Sequence, residues 1–244
     1  MIGAVGGSGT RVFSRIARDA GVFMGSHLDS QEDSASMSGF YTEFASDYLA
    51  AHGDLVQNQE RRLAQRLAKC LDHHLERLPG PDAPWGIKNP RSMLMLPFWD
   101  RSFPGMRFLH VIRDGRDMAY SENDNQIRRH ARAVLGPDFD RPAPERAMLW
   151  WVQANSLAAD YGEAELGDRY LRVRLEDLCE RPKRTIRSLY EFLGATGPMR
   201  QAIGEVEPPP TLGRWRERPE PELARLVALG RPGLERFGYA ADAG

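Results

Sequence analysis

The chain has only two cysteines, Cys70 and Cys179, in 244 residues. They cannot build a disulfide framework, and neither sits in a paired zinc-ligand spacing. No apolar run approaches the ~20 residues that a membrane-spanning helix needs. The opening Met1-Ile2-Gly3-Ala4-Val5 runs straight into glycines with no basic stretch, so no signal peptide is expected and a reducing, cytoplasmic setting is. Charge of one sign is missing too. The 33 basic and 34 acidic residues leave a formal net charge of −1, which offers no polybasic surface to nucleic acid. Lysine is scarce: Lys69, Lys88 and Lys183 are the three among 33 basic residues, so each can be weighed singly.

What remains is ordinary globular composition, 41% hydrophobic and 27% charged, enough for one domain over 1–244 with its own core. A strand is expected over 1–5, a glycine turn next, then a helix over 10–20 with Val12, Phe13, Ile16, Ala17 and Ala20 on one face. Further strands are expected at 22–24, 85–88, 107–112 and 170–175. Helices are expected at 40–52, at 58–78 with a Leu63, Leu67, Leu71, Leu75, Leu78 stripe, from Arg116 onward, at 144–159, and at 182–193 closed by Gly194. Strands alternating with helices define an α/β chain with a central parallel sheet flanked by helices, whose ligands sit beyond the carboxyl ends of the strands.

Strand, glycine turn, helix is a phosphate-binding arrangement. Glycines let backbone N–H groups approach an anion, and the helix N-terminus adds its dipole. A tight strand-to-helix turn with no ligand is the plain alternative. Gly6-Gly7-Ser8-Gly9-Thr10 is not a Walker A loop, because Thr10-Arg11 rather than lysine follows the last glycine. Gly3-x-x-x-Gly7-x-Gly9 also has the spacing of short-chain dehydrogenases, which pair a tyrosine with a lysine four residues on. The residues four before the lysines are Gln65, Pro84 and Cys179, so that reading fails. Gly7-Ser8-Gly9-Thr10-Arg11 resembles the 5′-phosphosulfate loop of sulfotransferases that use 3′-phosphoadenosine 5′-phosphosulfate (PAPS). Many relatives carry Lys or Arg where this chain has Gly7, and Arg11 is the nearest substitute charge.

A second stretch, from Arg107 through Arg113-Asp114 to Ser121, is similar to the 3′-phosphate motif of the same family: a buried strand ending in Arg, then Ser eight residues later on a helix. Arg offers a planar fork to phosphate and Ser a hydroxyl donor; a surface Arg113–Asp114 ion pair is the plain alternative. The segment Glu176-Asp177-Leu178 with Phe192-Leu193-Gly194 resembles the family's strand-Glu-Asp-Leu-helix unit, with Leu175 where relatives often have an adenine-side aromatic. Gly213-Arg214-Trp215 is similar to the Gly-x-Trp segment that closes over the 3′-phosphate. The resemblance runs from residue 3 to about 220, in family order.

It implies a P-loop nucleotide-kinase-like sulfotransferase fold and metal-independent, in-line transfer of a sulfuryl group from PAPS to a hydroxyl of a glycan or small metabolite. PAPS would be held by Gly6, Gly7, Ser8, Gly9, Thr10, Arg11, Arg113, Ser121, Gly213, Arg214 and Trp215. Lys88, in Gly86-Ile87-Lys88-Asn89-Pro90, matches the family lysine that faces the sulfonate. Pro90 stands where some relatives have a histidine base. Glycan-type relatives use a carboxylate about 20 residues past the loop. That distance favours Asp29, while the polar run Ser30-Gln31-Glu32 suggests an extended loop that brings Asp33 over the sulfonate; the order is Asp33, then Asp29, then Glu32, with His27 behind them. His73 and His74 read as solvated, and no His/Cys/Asp grouping suggests a metal. Trp150 and Trp151 read as core more readily than as a sugar platform, and 122–146 as a lid or a solvent-facing helix pair. Two rivals stay open: a metal-dependent nucleotide kinase, and an adenosine-bisphosphate-binding protein without catalysis.

Overall fold

Three parallel strands in the order β1-β2-β3 form the sheet: Ile2–Ala4, Phe108–Ile112 and Tyr170–Arg174. The computed structural model describes residues 1–53 and 57–241. Leu109 stands opposite both Ile2 and Leu171, which fixes the register across all three strands. Every residue of β2 is buried, as a central parallel strand requires. Phe108 and Ile112 pack into one core, while Leu109 and Val111 pack into the other with Phe13 and Ile16. That period-2 split is why the sheet carries helices on both faces.

From β1 the glycine turn leads into α1 (Thr10–Asp19), followed by α2 (Ala35–Ala50), α3 (Gln57–His74) and α4 (Leu96–Ser102). After β2 come α5 (Gly115–Ala119), α6 (Arg132–Leu135) and α7 (Ala143–Tyr161). β3 leads into α8 (Leu175–Glu180), α9 (Pro182–Leu193), α10 (Arg200–Gly204) and α11 (Glu220–Arg236). Trp150 and Trp151 of α7 are fully buried, which gives them to the core. The helix α11 closes over α7 by placing Gly230 against Met148 and Gly233 against Trp151.

Several expected boundaries move, each for a local reason. The strands expected at 22–24 and 85–88 shrink to single bridges, Phe23 to Trp85 and Ile2 to Lys88. The chain leaves the sheet at once because Asn89 caps the 3-10 turn Pro90–Met95, its side chain accepting the Arg91 N–H. The helix expected at 58–78 ends at His74, whose carbonyl is taken by the Ser26 N–H and hydroxyl; Leu75 and Leu78 follow as turns. The helix expected at 40–52 begins five residues earlier, at Ala35. The helix after β2 stops at Ala119, so Ser121 lies beyond it, its N–H bonded to the Met118 carbonyl. Among the described residues, no helix is long and apolar enough to cross a membrane.

Candidate functional site

The glycine turn leaves the carboxyl end of β1 and enters α1 through Gly9, whose φ of 80° is left-handed. A Cβ there would lie 2.9 Å from Leu175 Cδ2, so α8 packs hard against the turn. Ser8 is buried and its hydroxyl donates back to the Val5 carbonyl, so that side chain holds the turn. No side chain caps α1 and its first turn has no acidic residue, so its leading N–H groups and the positive end of its dipole face the cleft unneutralised. Arg11 stands over this opening and donates to Gln31 Oε1, a neutral partner. Arg15, one turn on, is paired with Glu32 and Glu205.

Lys88 sits one residue past Ile87, whose carbonyl accepts the Ile2 N–H, and is almost wholly buried. Its ammonium donates to the Gln31 carbonyl at 2.7 Å and lies 2.7 Å from Asp33 Oδ1. The Asp33 contact is a short, charge-assisted ion pair. Burial raises the Asp33 pKa above the usual carboxylate value, and the adjacent Lys88 charge only partly offsets it.

The other two carboxylates are engaged elsewhere. Asp29 Oδ1 accepts the N–H groups of Gln31 and Asp33, at 2.8 and 2.9 Å, which shapes the loop that delivers Asp33. Glu32 has a left-handed φ of 60° that turns its carboxylate away to Arg15 and Arg18. His27 pairs with Glu76 at 2.6 Å and stacks on His73. Contrary to the sequence reading, His27, His73 and Glu76 thus form a group whose ligand atoms lie within 4.8 Å of one another; none of them borders the cleft. His73 is exposed, as expected, but His74 is not. It is buried between the Ser34 hydroxyl and the Gly86 carbonyl, and burial lowers its pKa.

Of the residues expected around the 3′-phosphate, Arg113, Gly213, Arg214 and Trp215 form a second cluster built on Asp117, which has no exposed surface. Its carboxylate accepts from Arg113 at 2.9 Å, from the Gly213 N–H at 2.7 Å and from the Trp215 N–H at 3.2 Å. Arg214 donates to the Asp117 carbonyl, and Arg113 also reaches Thr211. Two guanidiniums lie over the Trp215 ring, Arg116 at 3.7 Å and Arg216 at 4.7 Å from its centre. Arg113 therefore pairs with Asp117 rather than Asp114, which belongs to Arg116. Ser121 is separate from this cluster: its hydroxyl accepts the Asn123 N–H and lies under Gly7. Of the Glu176-Asp177 pair, Glu176 accepts the Asp114 N–H and Asp177 binds Arg174.

Gly7, Gly9, Thr10, Arg11, Asp33 and Lys88 border one cavity of about 400 Å³. A second of about 330 Å³ adjoins it through Gln31, Asp33, Pro90 and Asn123, with Gly6 and Asp29 on its wall. A separate hollow of about 520 Å³ beside Tyr48 and Leu157 holds no lysine or arginine. Gln31, which bridges Arg11 and Lys88, was not a sequence candidate; its only signal was a place among the three carboxylates.

A parallel α/β chain with an uncapped helix N-terminus facing a buried Lys–Asp pair is built to handle an anionic group. A sulfotransferase family model matches residues 11–198, and the chain belongs to the sulfotransferase family. Among solved structures it is similar to the sulfotransferase domain from the curacin biosynthetic pathway, with a TM-score of 0.51 and 12% identity over 86% of this chain and 78% of that one. At that identity the likeness is one of fold. No curated protein matches the sequence.

Proposed function

We propose that residues 1–244 form one PAPS-dependent sulfotransferase domain that modifies a hydroxyl of a glycan or small metabolite. The observation that carries this reading is the buried Lys88–Asp33 pair opening onto the same cleft as the glycine turn. A 5′-phosphosulfate fits there: the leading N–H groups of α1 and the Arg11 guanidinium lack an anionic partner among the described residues, and the cavity is wide enough.

Asp33 removes the proton from the acceptor hydroxyl as that oxygen forms its bond to sulfur. The bond from sulfur to the bridging oxygen of PAPS breaks, and its electron pair leaves on the 5′-phosphate of adenosine 3′,5′-bisphosphate. Lys88 lies beside Asp33 to meet the charge on the sulfonate oxygens, while the turn and Arg11 hold the leaving phosphate. Asp33 suits the role because its raised pKa makes it a stronger base than an exposed carboxylate. Arg113 keeps Nη1 without a protein hydrogen bond among the described residues, which leaves a donor for the 3′-phosphate.

Calorimetry tests the reading directly. Adenosine 3′,5′-bisphosphate should bind about ten- to a hundredfold more tightly than AMP, the effect of a charge-assisted bond of ~1.5–3 kcal/mol to the 3′-phosphate. Equal affinities, or tighter binding of ATP with magnesium, would overturn it. Tight binding without turnover of PAPS on any acceptor would leave a binding protein.

A further inference from the structure

The cavity beyond Asp33 has a wall chemistry that restricts what can lie there. Ser38, Thr42, Asn89, Asn125, Gln126 and Arg129 border it, and among the described residues no aromatic or aliphatic chain other than Pro90 does. The wall is more polar than apolar, so a flat phenolic acceptor would find little apolar surface to cover it.

Two features ask for specific groups. Gln126 is almost fully buried at the start of the π turn Ile127–Ala131. Its Nε2 donates to the Ala4 carbonyl at 3.0 Å, which fixes the amide and leaves Oε1 buried without a donor. A buried acceptor without a partner is costly; Gln126 borders the cavity, and a small shift of its side chain would let a ligand hydroxyl satisfy it.

The second feature is surplus positive charge. Arg91 donates to Thr42 Oγ1 at 2.9 Å, the Ser38 carbonyl at 3.1 Å and Asn89 Oδ1 at 3.3 Å, all neutral groups. Arg129, on the π turn, has no side-chain hydrogen bond or ion pair among the described residues. Burial lowers the Arg91 pKa; Tyr41 and Asp33 nearby partly offset this, and the like charge of Arg129 lowers it further. The same two guanidiniums, after burial, help push His130 down to about 4. Of the two carboxylates on this wall, Asp33 is taken by Lys88, and Asp29 accepts two backbone N–H groups.

We infer that the acceptor is a hydroxyl-rich molecule bearing a carboxylate, sulfate or phosphate, whose charge is met by Arg91 and Arg129 while one hydroxyl reaches Asp33 and another Gln126. This rests on the sulfotransferase reading above, because that reading makes this cavity the acceptor side.

The test uses the full chain saturated with adenosine 3′,5′-bisphosphate. Glucuronic acid, glucose 6-sulfate and glucose 6-phosphate are titrated against it, with glucose and 2-naphthol as neutral and aromatic probes. At least one acidic probe should bind tenfold or more tightly than glucose, the scale of one charge-assisted hydrogen bond. Which acid gains most distinguishes the three anionic groups. Arg129→Gln should reduce that preference at least fivefold. A preference below tenfold for all three acids, tightest binding of 2-naphthol, or a preference that survives Arg129→Gln overturns the inference while the donor reading stands. Failure of adenosine 3′,5′-bisphosphate to bind overturns both.

Discussion

Replacing Asp33 with asparagine separates its pairing with Lys88 from the proton transfer proposed for it. The Lys88 ammonium has two close oxygens, the Gln31 carbonyl and Asp33 Oδ1, both at 2.7 Å. Asparagine removes the only anionic one and leaves a lysine side chain 3% exposed with a single neutral acceptor. Breaking a fully buried pair costs ~3–5 kcal/mol. Asp33 is 19% exposed and borders the cleft, so water can reach its side of the pair. The expected cost is then about 2–3 kcal/mol, or a fall in Tm of about 5–10 °C for a chain of this length.

Loss of the base should lower kcat by about 10²–10⁴ and remove the acidic limb of the pH–rate profile. Affinity for adenosine 3′,5′-bisphosphate should not fall, because neutralising Asp33 only adds positive potential to the cleft. Asp29→Asn is the matched control. Both backbone N–H groups go to the same Asp29 oxygen, which an asparagine amide oxygen reproduces, so kcat should fall less than tenfold. The assay is steady-state sulfate transfer from PAPS across pH, beside thermal unfolding. A loss below tenfold for Asp33→Asn, or an equal loss for Asp29→Asn, refutes the assignment.

Lys88→Met should lower kcat with little change in the KM for PAPS, and should shift the acidic limb upward because the Lys88 charge now holds the Asp33 pKa down against burial; a change in KM alone would make Lys88 a ground-state anchor. Acid should destabilise the fold through His110, which is buried between the Tyr170 hydroxyl and Asn155 Oδ1 with its pKa pushed down to about 4 by burial. Between about pH 6.5 and 4 the unfolded chain binds this proton and the native one does not, so stability falls as pH falls, by about 2 kcal/mol at pH 5. His130, likewise pushed to about 4, adds a similar loss, and urea unfolding that is flat between pH 7 and 5 would contradict both.

Features set by neighbouring residues were legible in the sequence. The strand, glycine turn and helix at the start, the strand Phe108–Ile112, and the helix Pro182–Leu193 with Gly194 at φ 73° all follow from local pattern and capping. Features set by distant contacts were not. The helix Glu220–Arg236 carries Gly230, Pro232 and Gly233, which read as breakers, yet the two glycines are the close-approach points on Met148 and Trp151. The choice among Asp29, Glu32 and Asp33 depends on where Lys88 lies and on a left-handed Glu32, neither of which periodicity encodes. The Asp117 hub escaped notice because its partners Gly213 and Trp215 lie almost a hundred residues on.

Gly7 shows how a departure from a family pattern can mislead when only the sequence is read. Beside relatives that carry Lys or Arg there, glycine looks like a lost phosphate ligand. Its φ is 95°, a conformation that L side chains rarely adopt, and a Cβ at this position would lie 2.9 Å from Ser121 Oγ and 3.2 Å from Met118 Cε. A basic side chain could enter only if the turn gave up this conformation and the Ser121 and Met118 side chains rotated away. The geometry of the turn therefore selects glycine, and the charge has to come from a neighbour with room for a long side chain. Arg11 meets that condition: it is exposed, borders the same cavity, and is tethered by Gln31, whose carbonyl also accepts from Lys88. One residue thus ties Arg11 to Lys88, so loss of the Gln31 side chain would release Arg11 while the Lys88 contact to the backbone carbonyl stays.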